Sequence, residues 1–306
     1  MVSRLTCGVV TFFLCLGFVR PGFAQEGSAS GIEQRVGKQL QKLEPQLPPE
    51  ELILMGKDDI LLLRRRKFFT VKLDSSFSYL TNPYFSNDKK NPDGVSNENL
   101  SLRFETKIAE KYTVFADASA FLARHVRFTE LNYDGAMVAL GARIPSGPWT
   151  FGLGYRASTI LEPGLDKRIV TQNSTSASAS YGIAINKNTS VVPSASASRV
   201  WASPDDFTST SVRLGAAVVH RVAPNLLANL SVQGVKRWYD NYYEETNNQT
   251  RRDVGFDASL SLRWTPSENV SMSISSAVGY IDSTLNSSDY FNFSITPMVT
   301  LQINGL

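Results

Sequence analysis

The sequence predicts an all-β protein: a transmembrane antiparallel β-barrel of about twelve strands, with a short N-terminal helical arm. Three observations lead there. From Phe68 onward, segments whose residues alternate apolar and polar follow one another to the C-terminus, and that period of two puts lipid on one face of a strand and the lumen on the other. The connections between these segments are alternately short and long. Aromatic residues gather at both ends of the segments. Only a closed barrel lets strands cross hydrocarbon, because an open sheet edge there leaves N–H and C=O groups unpaired.

The chain opens with a secretory signal over residues 1–24. Arg4 supplies the positive start, Leu5 to Val19 is an apolar run, and Gly22-Phe23-Ala24 ends in small residues, so cleavage is expected before Gln25. A retained anchor fits less well, since Arg20 and Pro21 stop the run short of a span. Both cysteines, Cys7 and Cys15, lie inside this segment, and neither follows the small residue a lipoprotein signal needs. The mature chain is therefore expected to carry no thiol, disulfide or cysteine metal site. Losing Arg4 and Arg20 lowers the formal charge of +3 by two, a balance that argues against nucleic acid as a partner. Nothing further on is continuously apolar for the roughly 18 residues a membrane helix needs. A mean hydropathy of −0.15 suits a barrel whose apolar residues are diluted by alternation.

Residues 25–67 differ in composition. Ile32, Val36, Leu40 and Leu43 recur at helical spacing among charged residues, Pro45 to Pro49 breaks the pattern, and Leu52 to Met55 and Ile60 to Leu63 are brief apolar runs. The segment reads as a periplasmic arm, or else as a plug or a coupling to a periplasmic partner; the arm is favoured. The run Arg64-Arg65-Arg66-Lys67 is better read as a solvated flank than as a site for anionic head groups.

The barrel is expected over residues 68–306. In the first strand Phe69, Val71, Leu73, Phe77 and Tyr79 oppose Lys72, Asp74, Ser76 and Ser78. In the second, Leu100, Leu102, Phe104 and Ile108 oppose Ser101, Arg103, Glu105 and Lys107, a pattern no helix period reproduces. Further strands are read at Tyr112 to Leu122, Ala136 to Ile144, Trp149 to Leu161, Ile169 to Ile185, Thr189 to Trp201, Thr210 to Val222, Leu226 to Lys236, Val254 to Trp264, Val270 to Tyr280 and Tyr290 to Ile303. Short connections at 110–111, 145–148, 186–188, 223–225 and 266–269 alternate with long ones at 82–97, 124–133, 162–168, 202–209, 238–251 and 282–289. Bacterial barrels have short periplasmic turns and longer extracellular loops, so both ends of the barrel domain face the periplasm. A water-soluble sandwich would rarely keep such order over so many strands. Trp149, Trp264 and Tyr112 adjoin the short turns, while Tyr79, Trp201, Trp238, Tyr280 and Tyr290 adjoin the long loops: two girdles. Pro193 and Pro297 fall inside strands, and each implies a bulge or a displaced boundary. The Ser- and Ala-rich seventh strand leaves its facing ambiguous, with Arg199 assigned to lipid by strict parity.

The closing stretch Tyr290-Phe291-Asn292-Phe293-Ser294-Ile295-Thr296-Pro297-Met298-Val299-Thr300-Leu301-Gln302-Ile303 resembles the C-terminal signal strand of bacterial outer-membrane proteins, although it ends in Asn304-Gly305-Leu306 rather than an aromatic residue. That resemblance implies the barrel-assembly machinery and outer-membrane lipid as partners, in a Gram-negative bacterium. The first hairpin, with Tyr79-Leu80-Thr81-Asn82-Pro83-Tyr84-Phe85 before a polar loop, is similar to the opening of barrels associated with exopolysaccharide export. The outer-membrane likeness covers nearly the whole barrel domain; the export likeness covers one hairpin.

Some barrels are enzymes, so the two histidines need weighing. The twelve-stranded outer-membrane phospholipases need a Ser-His pair on the lipid face within a His-x-Ser-Asn stretch. Here His125 precedes Val126-Arg127-Phe128, and His220 precedes Arg221-Val222-Ala223 two residues from a short turn. His125 with Asp205, Asp206 and Asp240 could imitate a rim protease, but solvated loop charges explain them better. No catalytic, cofactor or metal site is expected. The loop Trp238-Tyr239-Asp240-Asn241-Tyr242-Tyr243-Glu244-Glu245 has the mixture of a sugar-contacting surface, a mixture that girdles and loops also share.

The polar strand faces are the better candidate for function. Lys72, Arg103, Lys107, Arg143, Arg156, Arg213, Arg221, Arg237 and Arg263 outnumber Asp74, Glu105, Asp117, Asp253 and Asp257. Lys72, Arg103, Glu105, Lys107, Asp117, Arg143, Arg156, Arg213, Asp257 and Arg263 are the expected pore-lining set, and Arg and Lys rows favour anions. Internal salt bridging that merely fills the lumen is the equal competitor. The expected function is a non-enzymatic channel for small or oligomeric hydrophilic solutes. A structural or export-associated barrel is the alternative and an outer-membrane hydrolase the third reading.

Overall fold

The computed structural model describes residues 69–84, 91–108, 112–164, 168–243, 250–284 and 289–305. The expected signal, the 25–67 segment and the basic run at 64–67 lie outside the described residues. The strand segments are β1 (Phe69–Leu80), β2 (Asp93–Ile108), β3 (Tyr112–His125), β4 (Tyr133–Ser146), β5 (Trp149–Leu161), β6 (Arg168–Tyr181), β7 (Ile183–Asn186), β8 (Thr189–Ser203), β9 (Ser209–Ala223), β10 (Leu226–Tyr243), β11 (Thr250–Ser267), β12 (Val270–Ser283) and β13 (Tyr290–Gly305). Two single 3-10 turns, Thr129–Leu131 and Asp205–Phe207, sit in long connections. Among the described residues no helix is long and apolar enough to cross a membrane.

Every segment pairs antiparallel with its sequence neighbour except across β6, β7 and β8, where β6 and β7 both pair with β8 and act as two halves of one strand. β1 pairs with β13 from Phe69↔Gly305 to Leu80↔Ser294, so the sheet closes into a barrel of 12 strands. With strands about 4.8 Å apart and tilted about 40°, twelve strands close on a backbone radius of about 12 Å.

The two sheet faces separate as the alternation requires. Leu73, Leu100, Phe104, Leu140, Leu153, Leu214, Phe256 and Leu260 stand exposed on the outer wall, while their sequence neighbours Lys72, Arg103, Arg213 and Asp257 are half-buried inside. An outer wall of exposed Leu and Phe is stable only in lipid, since each such side chain is worth about 1.5–3 kcal/mol when removed from water. Trp149, Trp264 and Tyr112 mark one rim of that belt, and Tyr79, Trp201 and Tyr280 the other, all exposed.

The strands outrun the expected boundaries at the long-loop end. β10 and β11 have 18 residues each, about 60 Å of strand or about 45 Å of height when tilted, against an apolar band of about 25 Å. The expected connection at 238–251 is therefore largely strand, because cross-strand pairing continues beyond the lipid where alternation no longer needs to be apolar outward. At the opposite end the turns are tight; Gly147, at φ +61°, supplies the left-handed residue between Ser146 and Pro148.

Neither expected bulge is present. Pro193 pairs in register with Ala216 of β9, and towards β6 and β7 the pairing simply skips from Ser180↔Ser194 to Ile183↔Val191 without changing register. The interruption that divides β6 from β7 is thus the place where Pro193 has no N–H to offer. On the other edge of the same interruption the β5–β6 pairing carries on, with the Gly182 N–H donated to the Pro148 carbonyl at 2.9 Å. Pro297 does the same to the closing seam: it pairs with Ile274, while the β1 ladder skips from Ser76↔Met298 to Tyr79↔Ile295 in unchanged register. The Ser78 and Thr296 hydroxyls, 2.9 Å apart, bridge the gap.

Replacing Leu214 by Arg on the outer wall should lower folding stability by about 2–4 kcal/mol, the range for a cation facing mid-bilayer lipid. Urea unfolding in lipid vesicles measures it. Wild-type stability in that variant would put Leu214 outside the hydrocarbon.

Candidate functional site: the barrel interior

The interior is layered along the barrel axis. At the long-loop end Val95, Ala123, Tyr133, Ile160, Ile169, Val170 and Phe207 form a buried apolar cluster, with Leu80, Phe121 and Ala202 packed against it. Phe207 reaches it from the 3-10 turn Asp205–Phe207. In that turn, burial and then the neighbouring Asp205 raise the Asp206 carboxyl above the ordinary aspartate range.

Two buried ionic knots sit at the same end. Arg251 donates from its Nε to Asp253 Oδ1 at 2.9 Å and from a terminal nitrogen to Oδ2 at 2.7 Å, and Ser283 and Tyr239 donate to the same carboxylate at 2.7 and 3.1 Å. The Arg251 guanidinium also lies 4.5 Å from the Tyr239 ring centre. On the other side His125 Nδ1 lies 2.9 Å from Asp93 Oδ2, and Asp93 Oδ1 accepts the backbone N–H groups of Gly94 and Arg127. Both side chains are almost wholly buried. His125 is thus a structural clamp between β2 and β3, its ring bound to Asp93. His220 stands exposed on the outer wall near a short turn, its Nδ1 2.9 Å from the Thr189 hydroxyl.

Below that closure lie the charged residues singled out from the sequence. β2, β3 and β4 bring four of them together. Arg103 pairs with Glu105 at 3.0 Å and approaches Asp117 at 3.8 Å, and Arg143 approaches the same Glu105 oxygen at 3.7 Å. Both guanidiniums lie over the Phe115 ring, each 4.8 Å from its centre, cation–π contacts that help to hold the pair in place. Phe115 can lie flat there because β4 carries Gly141, where a Cβ would come within 2.3 Å of the ring.

Arg156 and Arg213 occupy a different wall. Arg156 on β5 pairs in register with Ser174 on β6, and Arg213 on β9 with Ser196 on β8. Between them, β6 and β8 turn Ser174, Ser176, Ser178, Ser194, Ser196 and Ser198 inward, so a strip of hydroxyls is flanked on both sides by guanidinium groups. A cavity of about 180 Å³ opens onto this strip. A second, of about 260 Å³, adjoins it and is bounded by Arg213, Gln233, Arg237, Asp257, Tyr290 and Asn292. Gln233 donates to Asp257 at 3.4 Å. Lys72 is half-buried on the inner face of β1, Arg263 donates to Ser271 at 3.3 Å, and Lys107 is exposed towards the short-turn end.

The expected set therefore falls on the inner face, distributed around the ring rather than gathered at one point. Sequence reasoning missed Phe115, Arg251, the Asp93–His125 clamp and the serine strip. Counting inward and outward positions back from Trp201 would have found the strip; Phe115 breaks the rule that apolar means lipid-facing. Among the described residues, no three His, Cys, Asp or Glu side chains converge to hold a metal ion.

A closed antiparallel barrel with an apolar outer belt, two aromatic girdles and a polar, charged interior is an outer-membrane β-barrel of the bacterial kind. No protein-family model matches the sequence, and no curated relative matches it. Among solved structures the chain is similar to an outer-membrane channel from Pseudomonas putida F1, with a TM-score of 0.51 and 12% identity over 81% of this chain and 99% of that one. Weaker likenesses are to a bacterial polysaccharide outer-membrane secretin (TM-score 0.46, 8% identity, 76% of this chain and 98% of that one) and to the KdgM porin in complex with disordered oligogalacturonate (TM-score 0.39, 7% identity, 75% and 98%). At these identities the likeness is one of fold.

Gly141→Ala should force the Phe115 ring off both guanidiniums and cost about 1–3 kcal/mol by overpacking. Denaturant unfolding measures the loss, and Phe115→Leu in the same background should restore part of it. An unaffected Gly141→Ala barrel would mean that the ring does not rest there.

Proposed function

We propose that this protein is an outer-membrane channel for small or oligomeric hydrophilic solutes, with an interior that mildly favours anions. The observation that carries the reading is the hydroxyl strip flanked by Arg156 and Arg213, with Arg103 and Arg143 on another wall. Hydroxyls exchange hydrogen bonds with water or with a polyhydroxylated solute, and guanidiniums in a narrow, poorly screened interior attract anions. On this reading Lys72, Arg103, Glu105, Lys107, Asp117, Arg143, Arg156, Arg213, Asp257 and Arg263 line the path. The Arg103–Glu105–Arg143 group is partly neutralised and contributes shape, while Arg156 and Arg213 contribute field. Residues 1–24 serve as the export signal, the closing strand is read by the barrel-assembly machinery, and residues 25–67 form an arm at the periplasmic mouth.

The apolar cluster at the long-loop end favours a second reading, a barrel closed on that side that serves as a structural or export-associated scaffold. Planar-bilayer recording separates the two. The mature chain, or the chain without residues 25–67, should conduct, and anions should permeate better than cations. Arg156→Glu with Arg213→Glu should move the reversal potential in a salt gradient towards cation preference, whereas Lys187→Glu in an exposed turn should leave it in place because solvent screens that charge. No conductance from either chain would support the scaffold. Conductance without a shift would take the two arginines out of the permeation path.

A further inference from the structure

The outer wall carries a feature that a channel does not need. Arg199 on β8, Thr210 on β9, Trp238 on β10 and Arg252 on β11 are register partners in turn, so they stand in one row across four strands of the lipid-facing surface. Lys236 stands one pleat below Trp238 on the same face, its ammonium 5.3 Å from the Trp238 ring centre. Arg199 is fixed in place by Thr210 at 2.8 Å and by a two-pronged ion pair with Asp240, and its guanidinium lies 5.9 Å from the Trp201 ring. Among the described residues, Asp282 is a further carboxylate on this face, on β12 beside Val254.

The height of the row is set by its neighbours. Along the strands from it, away from the long loops, Val212, Leu214, Val232, Val254 and Phe256 are exposed members of the apolar belt, while Trp201 and Tyr280 are exposed rim aromatics on the flanking strands β8 and β12. The cations therefore stand where hydrocarbon gives way to head groups, at the long-loop end, with their stems over apolar wall and their charges upward. Elsewhere on this rim the outward-facing Arg124 is held by Asp134. On β10 and β11, by contrast, Lys236 and Arg252 flank an indole, and the geometry suits a ligand that brings its own negative charge together with fatty chains.

We propose that the outer face of β8 to β11 is a binding site for a phosphate-bearing glycolipid of the outer leaflet, with Lys236 and Arg252 meeting its phosphates, Trp238 lying against its sugar and the belt below receiving its acyl chains. Charge complementarity selects this occupant: a neutral phospholipid would satisfy the belt and bring no anion to Lys236 and Arg252. The site rests on the topology that puts the long connections outside, and it is independent of whether the lumen conducts.

The test uses the full mature protein, extracted in detergent, with lipid A as the probe and native mass spectrometry to count lipid bound per barrel. Lys236→Gln with Arg252→Gln should weaken lipid A binding about 25-fold, about fivefold for each cation removed near a charged lipid surface. Dephosphorylated lipid A should bind the wild-type barrel as weakly as intact lipid A binds the double variant, and Arg124→Gln should bind like wild type. Gel mobility before and after boiling confirms that each variant is folded, and the two single variants decide the matter if the double variant does not fold. Equal binding of lipid A by wild type and variants, or equal binding of the phosphorylated and dephosphorylated forms, would overturn the proposal.

Discussion

The whole structure depends on one rule of the membrane: no backbone N–H or C=O can be left unpaired in hydrocarbon. A sheet obeys it only by closing, and closure here joins β1 to β13, segments at opposite ends of the described chain. Everything else about the outer surface follows from that closure. Once the backbone is satisfied internally, a strand needs only an apolar residue at every second position to sit in lipid, which frees the alternate positions for whatever the interior requires. The interior uses that freedom unevenly, with serine on β6 and β8, arginine on the walls beside them and apolar packing near the long-loop end.

The two prolines show how the rule is met where the chain cannot supply a donor. In each case the sheet omits a short stretch of ladder and resumes in the same register. A bulge would have shifted the register and turned every later side chain to the wrong face; omission keeps the belt intact. Around the two gaps the strands stay tied, by the Gly182 N–H to the Pro148 carbonyl on the β5 side and by the Ser78 and Thr296 hydroxyls across the seam.

Much of this was legible in the sequence, because lipid imposes a period-two pattern on residues such as Val254, Phe256, Leu260 and Leu262 that no soluble helix shares. Turn lengths then separated a short-turn end from a long-loop end. Legibility fails where lipid is no longer the neighbour. β10 and β11 continue past the membrane, so their outermost residues, 239–243 and 250–253, carry no apolar pattern to read. Inside, Phe115 and Phe121 are apolar residues on the polar face, held there by partners on other strands, and a single strand's alternation cannot announce a partner. Arg199 was the converse case: parity placed it outward, and Asp240, forty-one residues later, makes that position tenable.

The gap at Pro297 lies on the seam between the two ends of the barrel sequence, where Ser78 and Thr296 are 218 residues apart. Zipping neighbouring hairpins closes short loops, whereas this seam closes the longest one in the domain and carries the largest entropic penalty. It is accordingly the pairing whose closure costs the most chain entropy. A missing stretch of ladder divides that seam into two separately held runs, Phe69–Ser76 towards one end of the barrel and Tyr79–Leu80 towards the other, whereas the β1–β2 hairpin beside it is a single continuous zipper.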